Sequence, residues 1–155
     1  MQHFLTIIDH DPDTLRHLLA EATRLKAEAA RGQFTDSLRH KIVGLVFEKP
    51  SLRTRVSFEA GVAQLGGTSL FQAGSEVGLG VRETVPDFAR TLSQFVDGIV
   101  LRVFKHATVE GVAKWGTVPV INGLSDTSHP CQAMADVLTL QETAGDVAGK
   151  TIAFI

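Results

Sequence analysis

Cysteine is nearly missing. Cys131 is the only one in 155 residues, which excludes an internal disulfide or a cysteine-built zinc site and fits a reducing compartment. An excess of charge of one sign is missing too. Fifteen lysines and arginines stand against 17 aspartates and glutamates, interspersed along the chain. Neither nucleic acid nor an anionic membrane is therefore an expected partner, and any basic site must be local. No apolar run approaches the roughly 18 residues of a membrane span. The opening "MQHFLTIIDHDP" lacks both the basic and the long apolar region of a secretory signal, so the expected location is the cytoplasm. Internal repeats, low-complexity tracts and charge blocks are also absent.

Several binding motifs fail. There is no GxxxxGK[ST] phosphate loop, and Gly78 and Gly80 lack the third glycine of a dinucleotide fingerprint. His3, His10, His17, His40 and His106 show no metal-ligand spacing and read as surface residues. Cys131 sits two residues after His129, a separation that rarely makes a catalytic pair, and reads as a small packed side chain.

What is present is an alternation of helix and strand. Leu15, Leu18, Leu19, Ala22 and Leu25 share one helical face, and Asp11-Pro12 supplies a cap and a first-turn proline, so a first helix is expected to run to about Gly32. Strands are expected at 41–47, 68–72, 98–102 and 118–123. Helices are expected at 53–65, about 83–95, about 107–115 and about 130–143. The fold class this implies is α/β, a parallel sheet of about four strands with helices on both faces. The final "TIAFI" has the composition of an opening strand. The expected division is a domain over 1–145, then a linker and the first strand of a further α/β domain over 146–155; the alternative is an edge strand of the same sheet.

Ligands of such sheets sit beyond the carboxyl ends of the strands. There the residues are polar: Ser51, Arg53, Thr54 and Arg55 after the first strand, Arg102 after the third, and Asn122, Asp126, His129 and Gln132 after the fourth. Arg53 and Arg55 stand in a helical first turn, where a cation is disfavoured by about 0.3–1 kcal/mol. A bound phosphate would reverse that sign, because helix-start NH groups and guanidinium forks both suit phosphate oxygens. The competing reading is a solvated helix start, with an arginine paired to Glu48 or Glu59. The four-residue spacing favours that reading for Arg55 with Glu59. Arg102 is either a cap on the sheet edge or part of the site, and His129 either a satisfied buried histidine or a ligand aimed, with Pro130 behind it, into the same cleft. Gln132 offers both a donor and an acceptor, as an amide-like NH2 group requires.

"FEKPSLRTRVSFEAGVAQLGG" resembles the carbamoyl-phosphate signature of the aspartate and ornithine carbamoyltransferases, F-x-x-P-S-T-R-T-R-x-S-F-E, and "NGLSDTSHPCQAMADVLTLQE" resembles their second signature, H-P-x-Q-x-x-x-D. The lysine before the proline, "GLSD" and the cysteine of "HPCQ" are most like the ornithine type. The resemblance runs from about Phe4 to Ile155 and covers the amino-terminal half of the family's proteins. It implies that Ser51, Leu52 (through its NH), Arg53 and Thr54 hold phosphate. By the same resemblance Thr54, Arg102 and His129 polarise the carbamoyl carbonyl, Gln132 orients its NH2, and Pro130 and Cys131 complete the binding segment. It further implies transfer to the δ-amine of ornithine in arginine biosynthesis, with no metal or organic cofactor. The amino acid would be bound by a domain beyond this chain, and the intact protein would be a homotrimer. Aspartate or another amine as acceptor, or a non-catalytic phosphate-binding half-module, are the alternatives. Two positions depart from the pattern. Leu52 replaces a threonine, and Gly78 stands where the family carries a loop residue shared with a neighbouring subunit, a place that Arg82 or loop backbone is expected to fill.

Overall fold

A computed structural model describes residues 3–79 and 82–153. In chain order the elements are α1 (Pro12–Ala30), β1 (Ile42–Phe47), α2 (Leu52–Gln64), β2 (Thr68–Ala73), α3 (Gly74–Val77), α4 (Val85–Leu92), β3 (Gly98–Arg102), α5 (His106–Trp115), β4 (Val120–Leu124) and α6 (Pro130–Ala144). The five helices and four strands expected up to about residue 143 are present, with shifted bounds. Capping sets several of them: Asp11 accepts the Thr14 N–H at 2.8 Å to start α1, and Thr84 accepts the Asp87 N–H at 3.3 Å to start α4. That helix is shorter than the apolar pattern suggests, because 93–95 form a turn. The short α3, which periodicity does not reveal, closes on Gly78 in the left-handed region at φ 63°, where a side chain would be strained.

All four strands are parallel, in the order β2-β1-β3-β4. Side chains alternate between the faces, as the two-residue strand period demands. Val46, Ile99, Leu101 and Val120 face one core, built with Phe88 and Ala89 of α4 and Val109 and Val112 of α5. Leu45, Phe47 and Val100 face the other, against Phe58 of α2. The second face is the thinner one. No residue of α1 is buried, and apolar hollows of about 620 and 520 Å³ beneath α1, α2 and α6 share Phe58, Pro119 and Ile121. Of the expected terminal strand, Thr151–Ala153 lies in no strand, while Phe154 and Ile155, like Gly80, fall outside the described residues.

Three histidines expected at the surface are partly buried. The amino-terminal segment runs along β4, so that Phe4 bonds Val120 and Asn122, His3 Nδ1 accepts the Val120 N–H at 3.2 Å, and the His10 ring lies 5.0 Å from that of Phe4. His106 tucks under the β4–α6 loop, with Nδ1 2.8 Å from Ser125 Oγ. Only tertiary packing puts them there. His17 and His40 are exposed, and among the described residues no His, Cys, Asp and Glu cluster is arranged to hold a metal. No described helix is long and apolar enough to cross a membrane.

Candidate anion-binding site

Two adjacent strands, β1 and β3, end side by side, Phe47 opposite Arg102, and their loops carry the site. Pro50 ends the extended segment and Ser51, at φ −161°, caps α2, accepting the Thr54 N–H at 3.4 Å. Ser51 Oγ also bonds Thr54 Oγ1 at 2.9 Å. Arg102 Nη1 donates to the same Thr54 hydroxyl at 3.3 Å. This hydroxyl is the link between the two loops. The first turn of α2 carries no acidic residue, so no carboxylate of that turn offsets its positive end.

The two arginines of that turn separate cleanly. Arg55 donates from Nε to Glu59 at 2.9 Å, as the four-residue spacing implies, and also lies over the Phe71 ring, 3.7 Å from its centroid. Arg53 is exposed and has no hydrogen bond, ion pair or ring contact among the described residues. Glu48, the other expected arginine partner, instead accepts the Phe104 N–H at 2.7 Å. Leu52 is 78 % exposed, which leaves its side chain outside the polar cluster.

Buried polar atoms without partners are rare in folded proteins and point to a missing ligand or a functional role. Two lie here: Arg102 Nε and His129 Nδ1 are both buried with no hydrogen bond. Burial, and then the positive charge of Arg102, push the His129 imidazole below its ordinary 6.5, with Asp136 acting weakly the other way. Protonation is thus harder in the folded chain than in the unfolded one. The resulting stability is complete above pH 6.5 and is lost as pH falls through the lower, folded value. We expect the His129 ring to titrate below 6.5 by NMR, and to move only part of the way back in Arg102→Met, because burial is the larger cause. A midpoint at or above 6.5 would contradict this environment.

Pro130 is buried as the first residue of α6. Gln132 is exposed and donates from Nε2 to Asp136 at 2.8 Å; its carbonyl oxygen has no partner among the described residues. Cys131 donates to the Asn122 carbonyl at 3.5 Å, and burial pushes its thiol up to about 11, which makes it a poor nucleophile near neutrality. Two residues expected at the cleft prove to be scaffold. Asn122 is fully buried, donating to Leu5, Ser125 and Ser128 and accepting from Leu124, and Asp126 accepts the His106 N–H at 2.8 Å. They hold the β4–α6 loop in shape. Arg82 is exposed and makes no hydrogen bond to this cluster among the described residues.

Sequence reading did not single out the bond from Glu48 to Phe104 or the Thr54–Arg102 contact as such. Both join segments about fifty residues apart, and no local pattern encodes that. Cationic, hydroxyl and imidazole groups thus gather at the strand ends of a parallel α/β domain, the place where such sheets take up ligands. The family model for the aspartate/ornithine carbamoyltransferase, carbamoyl-P binding domain, matches residues 2–142, and the chain belongs to this family. It is 49% identical over 154 residues to an ornithine carbamoyltransferase of Methylococcus capsulatus and 44% identical over 155 residues to an anabolic ornithine carbamoyltransferase of Pseudomonas aeruginosa. These alignments cover 99% and 100% of this chain and 51% of each relative. The solved ornithine carbamoyltransferase of Pyrococcus furiosus superposes with a TM-score of 0.93 at 43% identity, over 96% of this chain and 47% of that one. The chain thus spans about half the length of the curated relatives it matches.

Proposed function

We propose that this chain is the carbamoyl-phosphate-binding half of an ornithine carbamoyltransferase. The observation that carries the reading is the pair of buried, unpartnered nitrogens, Arg102 Nε and His129 Nδ1, in a cluster joined through Thr54 to a helix start with no acid of its own. In this reading the phosphate dianion lies against the first turn of α2. Ser51, Thr54, the Leu52 NH and the Arg53 guanidinium hold it, which offsets the charge penalty of an arginine at that end. The carbonyl oxygen points toward Thr54, Arg102 and His129. A neutral His129 suits that place as a hydrogen-bond donor, and the charge is supplied by Arg102. Gln132, whose Nε2 is engaged by Asp136, turns its carbonyl oxygen to accept from the carbamoyl NH2 beside the Pro130–Cys131 segment.

The neutral δ-amine of ornithine attacks the carbonyl carbon and forms the new C–N bond. The carbonyl π electrons move onto oxygen, where the preplaced donors stabilise the oxyanion. As the oxyanion collapses, the bond from carbon to the phosphate oxygen breaks, and phosphate takes the amine proton as it leaves. Citrulline and phosphate are the products. Residues 1–145 form the binding domain and 146–155 lead toward the part that binds ornithine; the setting is arginine biosynthesis in the cytoplasm, and the complete protein is a homotrimer. The 44% identity to an anabolic relative and the half-length match to the others support this reading. It predicts that the 155-residue chain forms no citrulline by itself, whereas citrulline appears when the carboxyl-terminal half of a relative is supplied. Turnover by the chain alone, or none in a mixture that demonstrably associates, would contradict it.

A further inference from the structure

Glu48 lies three residues before Ser51, and a carboxylate so placed opposes anion binding through its charge. A local role is needed to explain it. Its backbone N–H donates to the Arg102 carbonyl at 2.8 Å, and its side-chain Oε2 accepts the Phe104 N–H at 2.7 Å. The residue therefore grips the β3 terminus on both sides of the turn that follows Arg102. Its other flank is packed too: a Cβ at Gly74 would lie 2.8 Å from Glu48 Cα, so the start of α3 holds Glu48 in place. The adjacent Lys49 Nζ sits 4.8 Å from the Phe104 ring centroid, covering the same turn.

We propose that Glu48 is a positioning residue. It holds Arg102 at a set distance from the α2 turn and thereby favours a ligand that must reach both, a phosphate carrying a carbonyl, over phosphate alone. The proposal rests on the function proposed above. A phosphate bound at Ser51–Thr54 needs one loop only, whereas an acyl phosphate touching Arg102 as well needs both loops in register. Loss of the Glu48–Phe104 bond should therefore act on the second ligand and spare the first.

Calorimetric titration of the 155-residue chain with carbamoyl phosphate and, separately, with inorganic phosphate tests this. In Glu48→Ala the dissociation constant for carbamoyl phosphate should rise about tenfold while that for phosphate changes by less than about twofold, a scale consistent with the sensitivity of bound geometry to small displacements. Glu48→Gln, which retains an acceptor for the Phe104 N–H, should return carbamoyl phosphate to within about twofold of the parent. Glu48→Met keeps the side-chain length without the acceptor and should repeat the alanine result, which covers the case of an alanine variant that fails to fold. Equal shifts for both ligands, or none, would overturn the positioning role while leaving the proposed function standing. A parent chain that binds phosphate but not carbamoyl phosphate, or neither, would overturn both.

Discussion

Arg53→Ala should weaken carbamoyl phosphate binding by about 30- to 100-fold, the equivalent of one charge-assisted contact of roughly 2–3 kcal/mol. Thermal stability should not fall with it. Arg53 is exposed and makes no hydrogen bond, ion pair or ring contact among the described residues, and its charge lies at the positive end of α2, so its removal should be neutral or stabilising by about 0.3–1 kcal/mol. This divergence separates a ligand-binding cation from a structural one. Arg55→Ala supplies the contrast. With Glu59 and the Phe71 ring as its partners, Arg55 should change affinity by less than about threefold, and its loss should instead remove the few tenths of a kcal/mol typical of a helix-surface pair. Isothermal titration paired with thermal melts of both variants decides the matter. An unchanged affinity in Arg53→Ala would sink the proposed phosphate contact.

Leu101→Ala should produce the largest loss of stability, about 2–5 kcal/mol, the range for emptying a closed core site. Leu101 is fully buried, on the central strand β3, in the cluster shared with Phe88, Val109 and Val112. Against the 5–15 kcal/mol typical of a domain, such a loss is a large fraction. Leu18→Ala on α1 makes a useful comparison. Leu18 is 40% exposed, so less apolar area returns to water and no closed cavity forms, and the loss should be about 1–1.5 kcal/mol. Urea unfolding should show a much lower midpoint with an unchanged slope in Leu101→Ala and a clearly smaller shift in Leu18→Ala. Similar shifts in the two would mean that the weight of the core does not lie on the α4–α5 face.

Much of this architecture was readable from the chain alone. Runs such as "KIVGLVF" and "GIVLR" are too short for helices and too apolar for an exposed edge, and the helical segments between them leave few arrangements other than a parallel sheet. The α2 start was legible to within one residue, Arg53 expected and Leu52 found, because helical periodicity is a local signal. Arg55 and Glu59 stand four apart, a spacing that places them on one helix surface whatever the rest of the molecule does. The residues of the two signatures were named through the family resemblance, which needs only the two contiguous stretches themselves.

Other outcomes were not local. Asn122 and Asp126 looked like cleft residues from their position after β4, yet Asn122 is buried against the backbone of its own loop and Asp126, which stays exposed, caps the start of α5. The burial of His3 and His106 depends on which segments cross them. The contact of Arg102 with Thr54 joins residues 48 apart, and the Glu48–Phe104 bond joins residues 56 apart.

From its sequence alone this protein has its helices and strands, its fold class and the chemical kinds of group at its strand ends, because those depend on neighbours a few residues away. Tertiary structure alone decided which polar groups became scaffold and which stayed unpaired. That outcome depends on which distant segments meet when β1 and β3 pair, and on where burial leaves a donor with no protein partner.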